Sequence, residues 1–228
     1  MSIKNKHDLD GLREAGRIVR AVLDEMERCT CPGVSTRQLN EIGADVLLKN
    51  SARSAPMLFY GFPAEICISI NDEIVHGIPS SYIIRAGDLV KFDVTVEKDG
   101  YIADAARTVV VKPAPDKRHE LAACARRAFY KGMQAARAGN RVSAIGRAIS
   151  SEVRQSGFAV IQGLAGHGVG RAIHEEPCVP NEYDPRASRR LTDGLVLAVE
   201  PMISTGSGAV YEAADGWTIK TTDHALTA

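Results

Sequence analysis

The chain has 228 residues, 45% of them hydrophobic, which is enough to bury a substantial core as one large domain or two small ones. Lysine plus arginine (28) equals aspartate plus glutamate (28), so no net field draws nucleic acid or an anionic membrane surface non-specifically. No stretch approaches the roughly 20 apolar residues of a membrane helix, and the polar run from Met1 to Asp10 lacks a signal-peptide core, so a cytoplasmic location with no membrane and no specific nucleic-acid partner is expected.

From His7 to Cys29, Leu9, Leu12, Ile18, Val19, Val22, Leu23 and Met26 recur at three- and four-residue spacing, predicting an amphipathic helix that Pro32-Gly33 ends. A second helix is predicted from Ser35, where Ser35 and Gln38 fit a capping box and Leu39, Ile42, Val46 and Leu47 supply the buried stripe. Strands follow over Glu65 to Ile70 and Leu89 to Val96, the latter joined through Lys98-Asp99-Gly100 to another strand ending near Val111. After Pro113 and Pro115 the order begins again: a helix from Lys117 to Ala138, a break at Gly139, a helix from Ser143 to Gln155, then strands. This repetition predicts two related halves in a single domain over residues 1–228, with an α+β fold of antiparallel strands and helices packed on one side. The five cysteines, Cys29, Cys31, Cys67, Cys124 and Cys178, form no C-x-x-C pair and are expected to be reduced.

The hairpin allows a carboxylate geometry to be derived. If Asp99-Gly100 forms a two-residue turn, Lys98 pairs with Tyr101, Val96 with Ala103 and Thr95 with Asp104. Asp93 and Thr95 share a face, so Asp104 lies diagonal to Asp93 at a Cβ separation of about 7 Å. Like charges at that range repel unless one is protonated or a cation lies between them; the alternative is a solvated strand face. A second cluster runs from Gly166-His167-Gly168-Val169-Gly170-Arg171 to His174-Glu175-Glu176-Pro177, whose glycines let the backbone approach closely and leave His167 and His174 projecting. It is neither a phosphate loop nor the H-E-x-x-H zinc motif, since position 178 is cysteine, and structural roles for both histidines stay open. Glu200 sits in the apolar run Ala198-Val-Glu-Pro-Met202, where a carboxylate needs a salt bridge or a metal, and His76 stands before a turn as either a core or a site residue. Together, two aspartates, a glutamate and three histidines fit one oxygen-rich, nitrogen-assisted metal site.

These residues are the ones by which the chain resembles type I methionine aminopeptidases of the pita-bread fold. The likeness rests on Cys67-Ile-Ser-Ile-Asn71, His76-Gly-Ile-Pro79, Phe92-Asp-Val-Thr95 with Asp104, Gly166-His-Gly-Val-Gly-Arg171, His174-Glu-Glu-Pro177, Glu200-Pro-Met202 and Asp215-Gly-Trp-Thr218. It implies two pseudo-symmetric halves around a curved antiparallel sheet, with helices on its outer face. It also implies two divalent metal ions (cobalt, manganese, iron, zinc or nickel) held by Asp93, Asp104, His167 and Glu200, with Asp104 bridging. His76, His174 and Glu200 would be catalytic, and Phe59, Phe62, Cys67, His76, His174 and Trp217 would contact the substrate. The implied activity is removal of the initiator methionine from nascent polypeptides with a small second residue, by two-metal hydroxide attack on the first peptide bond, in a monomer whose contact with ribosomes would use the domain surface. A pita-bread protein without catalysis, acting as a binding module, is the rival reading, and a proline-specific dipeptidase a neighbouring one. Members of this family continue past a segment like Asp223 to Ala228 into a Tyr-Glu-His strand whose glutamate bridges the metals, so a further strand is expected beyond Ala228. Tyr60, Pro56 and Ile173 depart from the histidine, cysteine and phenylalanine common there, which predicts an altered pocket shape.

Overall fold

All 228 residues are described in a computed structural model. Helix α1 (Lys6–Cys29) starts where the Asn5 side chain accepts the Asp8 N–H, and α2 (Thr36–Lys49) starts at the expected reciprocal cap between Ser35 and Gln38. The first half continues with β1 (Arg53–Ser54), α3 (Ala55–Tyr60), β2 (Cys67–Ile70), β3 (Glu73–Val75), β4 (Leu89–Lys98) and β5 (Tyr101–Val110). The second half has α4 (Asp116–Ala135), α5 (Ser143–Gln155), β6 (Ala159–Val160), β7 (Ala165–Gly168), β8 (Glu175–Pro180), β9 (Leu197–Ala198), β10 (Ile203–Ser204), β11 (Val210–Glu212) and β12 (Ile219–Thr221). Helix α4 ends three residues earlier than its pattern predicts, because the Asn140 amide donates to the Ala135 carbonyl and Gly139 turns the chain with φ of 90°.

Every strand pair is antiparallel, as expected for this α+β arrangement. Strand β4 is flanked by β5 on one side and by β2 and β1 on the other, while β7 lies between β8 and β9. Pairing is not confined within halves, however: β12 joins β11 to β3 of the first half, a contact that hairpin reasoning does not supply.

Strand β4 shows how one sequence serves core and site together. Val90, Phe92, Val94 and Val96 pack into a cluster with Ile18, Val22 and Met26 of α1 and Leu39 of α2. The alternating residues Lys91, Thr95 and Glu97 are also buried, on the opposite face that Asp93 shares. A second cluster joins Leu121, Cys124 and Ala128 of α4 and Ile145, Ile149 and Val153 of α5 to Leu89, Val179 and Ile203. The β4–β5 turn has positive φ at both central residues, 50° at Asp99 and 79° at Gly100, as a type I′ hairpin requires. Its register is the one derived above, Lys98 with Tyr101 and Thr95 with Asp104.

The first residue of β5 anchors the halves to each other. Buried Tyr101 donates its hydroxyl to Asp8 Oδ1 at 3.0 Å, and the Arg171 guanidinium stacks 3.7 Å over its ring while also donating to Asp8 at 3.0 Å. Gly11 on α1 leaves room for that ring, since a Cβ there would overlap Cδ2 and Cε2 of Tyr101. Alanine is a better helix former than glycine by about 1 kcal/mol, yet overpacking a closed core costs about 1–3 kcal/mol. Gly11→Ala is therefore expected to lower the urea midpoint; an unchanged or raised midpoint would show that α1 yields to the methyl group freely.

Lys91 is the other unusual burial. Its ammonium donates to the carbonyls of Asn71 at 2.9 Å and Thr227 at 3.3 Å, and burial pushes its pKa down to about 7 despite nearby Glu73 and Asp72. An unfolded lysine titrates near 10.4, so between these values the unfolded chain binds the extra proton and stability rises with pH. Below pH 7 both states are charged and the full cost of burying the ammonium remains. Relative to Lys91→Met, which has no such proton, the wild-type unfolding free energy is expected to gain about 2 kcal/mol between pH 7 and 9. Parallel curves for the two proteins in denaturant titrations at those pH values would refute the assignment.

Candidate metal centre

Asp93 pairs in register with Ala106 and Asp104 with Thr95, so the two carboxylates come up diagonally on the inner face of the β4–β5 hairpin. From the second half, His167 on β7 pairs with Ala198 of β9 and Cys178 of β8, beside an irregularity in register at Gly168. Gly166 and Gly168 have no space for side chains, because a Cβ on either would collide with the carbonyl of Ala198 or Glu176. That close approach sets His167 opposite the aspartates. Its Nδ1 lies 2.9 Å from the Gly168 carbonyl, which only accepts, so Nδ1 carries a proton and Nε2 is the nitrogen that faces the acids.

Nε2 of His167 lies 3.0 Å from Glu200 Oε1 and 3.7 Å from Asp104 Oδ2. Donor atoms of Asp104, His167 and Glu200 all fall within 4.8 Å of one another, close to the spacing of ligands that each stand about 2.1 Å from a shared ion. Asp93 lines the same cavity beside this trio. Burial first, and repulsion from Glu200 second, raise the Asp93 pKa to about 7, although Asp104 and His167 oppose the shift. Burial also pushes Asp104 well up, with Asp93 and Glu200 adding repulsion. Burial disfavours a charged His167, but the adjoining Glu200 outweighs it and raises that pKa. Glu200 Oε1 is buried and, though near His167, has no aligned hydrogen-bond partner. An orphaned carboxylate oxygen among two aspartates and an imidazole nitrogen fits a divalent cation by donor chemistry and by charge.

These side chains form the floor of a cavity of about 160 Å³. His76 reaches it from a residue with left-handed backbone, φ 58°, between β3 and Gly77, and burial lowers its pKa with Glu200 opposing. His174, just before β8, reaches it beside His167, their ring centroids 4.3 Å apart, and burial together with His167 lowers its pKa. Phe62 and Trp217 make an apolar wall, edge to face with centroids 5.2 Å apart. Asp215 holds the Trp217 segment by accepting from the N–H groups of Trp217 and Thr218 and from the Thr218 hydroxyl.

The structure thus brings Asp93, Asp104, His167, Glu200, His76, His174, Phe62 and Trp217 to one cavity, drawn from both halves. Two expected lining residues fall outside it. Phe59 is turned about 80° on α3 from the face that Pro56 and the equally exposed Tyr60, four apart, present to the cavity. Cys67 is buried beneath the wall with Phe62 and Ala64, opposite Asp93 in the β2–β4 pairing. Pro56, Tyr60 and Ile173, singled out above as departures, all line the cavity. Val75, Leu164 and Met202 line it too and were not foreseen; for Met202 the signal was its spacing of two from Glu200, which places both on one side of an extended chain.

A model of metallopeptidase family M24 matches residues 10–226. Methionine aminopeptidase 2 of Bacillus subtilis is 46% identical over 230 residues, covering 100% of this chain and 92% of that protein. Among solved structures, the methionine aminopeptidase of Rickettsia prowazekii superposes with a TM-score of 0.95 at 33% identity, covering 100% of this chain and 93% of that one. The methionine aminopeptidase of Thermotoga maritima gives 0.96 at 31% identity, with 100% and 92% covered. With a buried set of carboxylates and an imidazole at the meeting of two helix-backed halves, and a family match along nearly its whole length, the chain belongs to metallopeptidase family M24.

Proposed function

We propose that this protein removes the N-terminal methionine from polypeptides, acting in the cytoplasm as a single-domain monomer on nascent chains whose second residue is small. The observation that carries the reading is the convergence of Asp104, His167 and Glu200 beside the Phe62 and Trp217 wall in a cavity with room for one side chain. Asp93, Asp104, His167 and Glu200 would hold two divalent cations, drawn from cobalt, manganese, iron, zinc or nickel. When bound, such ions supply Lewis acidity, lowering the pKa of water and polarising a carbonyl.

The chain's own groups do the rest. Glu200, with one oxygen free of hydrogen-bond partners, accepts a proton from the attacking water and returns it to the departing amine. His174 donates to the carbonyl oxygen as negative charge develops there, and His76, kept neutral by burial, contacts the region of the amide nitrogen. Phe62 and Trp217 take the unbranched thioether, which adapts readily to an aromatic surface. Any contact with ribosomes would use the domain surface.

Incubated with a Met-Ala-Ser peptide and cobalt, manganese or iron, the protein is expected to release free methionine, to lose that activity with a chelator and to recover it when metal is restored. Activity confined to a form extended past Ala228 by a strand of the Tyr-Glu-His type would assign a remaining ligand to that strand. No release from either form with any metal would favour the binding-module reading. Separately, Asp104→Asn removes one carboxylate charge from the donor set, so metal content after dialysis, measured by mass spectrometry, should fall at least tenfold at limiting metal. Equal occupancy in wild type and variant would take Asp104 out of the ligand set.

A further inference from the structure

Four large apolar residues in a row, Met57, Leu58, Phe59 and Tyr60, are 42% to 50% exposed, and no other part of the chain leaves even two such neighbours uncovered. They make up most of α3, which carries no charge, and Arg53 just before it is taken by Glu97 at 2.8 Å. The helix is held at both ends. Ala55 is buried with Ile102, Val169, Ile173 and Ala198, and the N–H groups of Gly61 and Phe62 return to the carbonyls of Met57 and Pro56. Exposed apolar side chains grouped on a fixed element mark a surface that something covers.

The covering group follows from where α3 stands. Pro56 and Tyr60 face the cavity, and the Tyr60 hydroxyl lies 2.8 Å from His174 Nδ1, so the helix borders the scissile bond that His174 serves. A cavity of about 160 Å³ has room for one side chain, so the residues after that bond must leave over its rim. We propose that Met57 and Phe59 seat apolar side chains of the third and fourth residues of the polypeptide substrate, an inference that rests on the aminopeptidase reading. At about 100° per residue, Met57 and Phe59 flank the stripe of Pro56 and Tyr60 on opposite sides, whereas Leu58 points away from it. An extended chain passing over the stripe turns successive side chains to opposite sides, one toward each flank. The six residues of α3 rise about 9 Å, the span of roughly three extended residues.

The test uses paired substrates, so that each enzyme is its own reference. With cobalt, manganese or iron, wild type is expected to favour Met-Ala-Leu-Leu over Met-Ala-Ser-Ser about fivefold in kcat/KM, through KM, the scale of half-burying one leucine side chain. That ratio should fall toward unity in the double variant Met57→Ser/Phe59→Ser. It should persist in Leu58→Ser, whose side chain is exposed on the same helix but faces away. Equal use of the two peptides by wild type, a preference kept in the double variant, or an equal loss in Leu58→Ser would overturn the proposal. A dimer in sedimentation that the double variant abolishes would overturn it too, by giving the patch to a second copy. Contact is read without turnover from protein carrying carbon-13 methyl groups on methionine. The Met57 signal, assigned by its loss in Met57→Ser, should move when an uncleavable Met-Ala-Leu-Leu analogue is added, its first amide replaced by a methylene-amine, and stay in place with the serine analogue. No release of methionine from either peptide would defeat the aminopeptidase reading, while an unmoved Met57 signal would defeat this inference by itself.

Discussion

The carboxylates of Asp93, Asp104 and Glu200 repel one another in a largely buried space, and the fold is arranged to hold them there. Such a group can ease its repulsion by taking up protons or by sharing a cation, and a cation leaves every carboxylate ionised. Holding the acids in place requires that the strands carrying them cannot turn over. Strand β4 meets that need through its other face, where Val90, Phe92, Val94 and Val96 are packed beneath α1 and α2. A slip of one residue would send Phe92 into the acid cluster and Asp93 into the apolar core. Core packing and ligand direction are therefore two consequences of one alternation.

The same logic joins the halves. Leu89, at the start of β4, belongs to the core built on α4 and α5, whereas Val90 belongs to the core built on α1 and α2. Pairing of β3 with β12 and the stack of Arg171 on Tyr101 add two further ties. Arg171 also donates to the Gly100 carbonyl of the hairpin turn, and Glu175 accepts from the N–H groups of Arg171 and Ala172. The turn carrying Ile173 and His174 is thereby fastened to the hairpin that carries Asp104. Ligands from separate halves keep their mutual distances because their supporting loops are tied directly to one another.

What could be read from the residues alone followed how local the cause was. The Asp99-Gly100 turn dictates its own register, so the relation of Asp93 to Asp104 was derivable, and the Ser35 and Gln38 cap announced the start of α2. Helix α3 escaped notice because six residues are too few to show a period, although Ser54, Pro56 and Gly61 punctuate it as helix ends do. Without helical geometry, nothing in the residues says that positions 56 and 60 border the cavity while position 59 does not. The β3–β12 pairing was illegible for a different reason, since it joins segments far apart in the chain and neither strand exceeds three residues.

His76 shows where the fold accepts local strain to place a functional group. A non-glycine residue at φ 58° carries a backbone cost of order 1 kcal/mol or more, and it persists only where its surroundings over-determine it. Here Gly77 accepts the Ile68 N–H through its carbonyl and donates its own N–H to the Ser69 hydroxyl, so it is pinned against β2 from both sides. No side chain fits at Gly77, because its Cβ would run into the Ile68 carbonyl. Val75, the residue before His76, pairs with Ile219 of β12 in the second half. With the residue after it locked to β2 and the residue before it paired with β12, His76 has one backbone conformation that keeps these contacts. That conformation carries the imidazole into the cavity, and the strain sits at the residue whose direction matters.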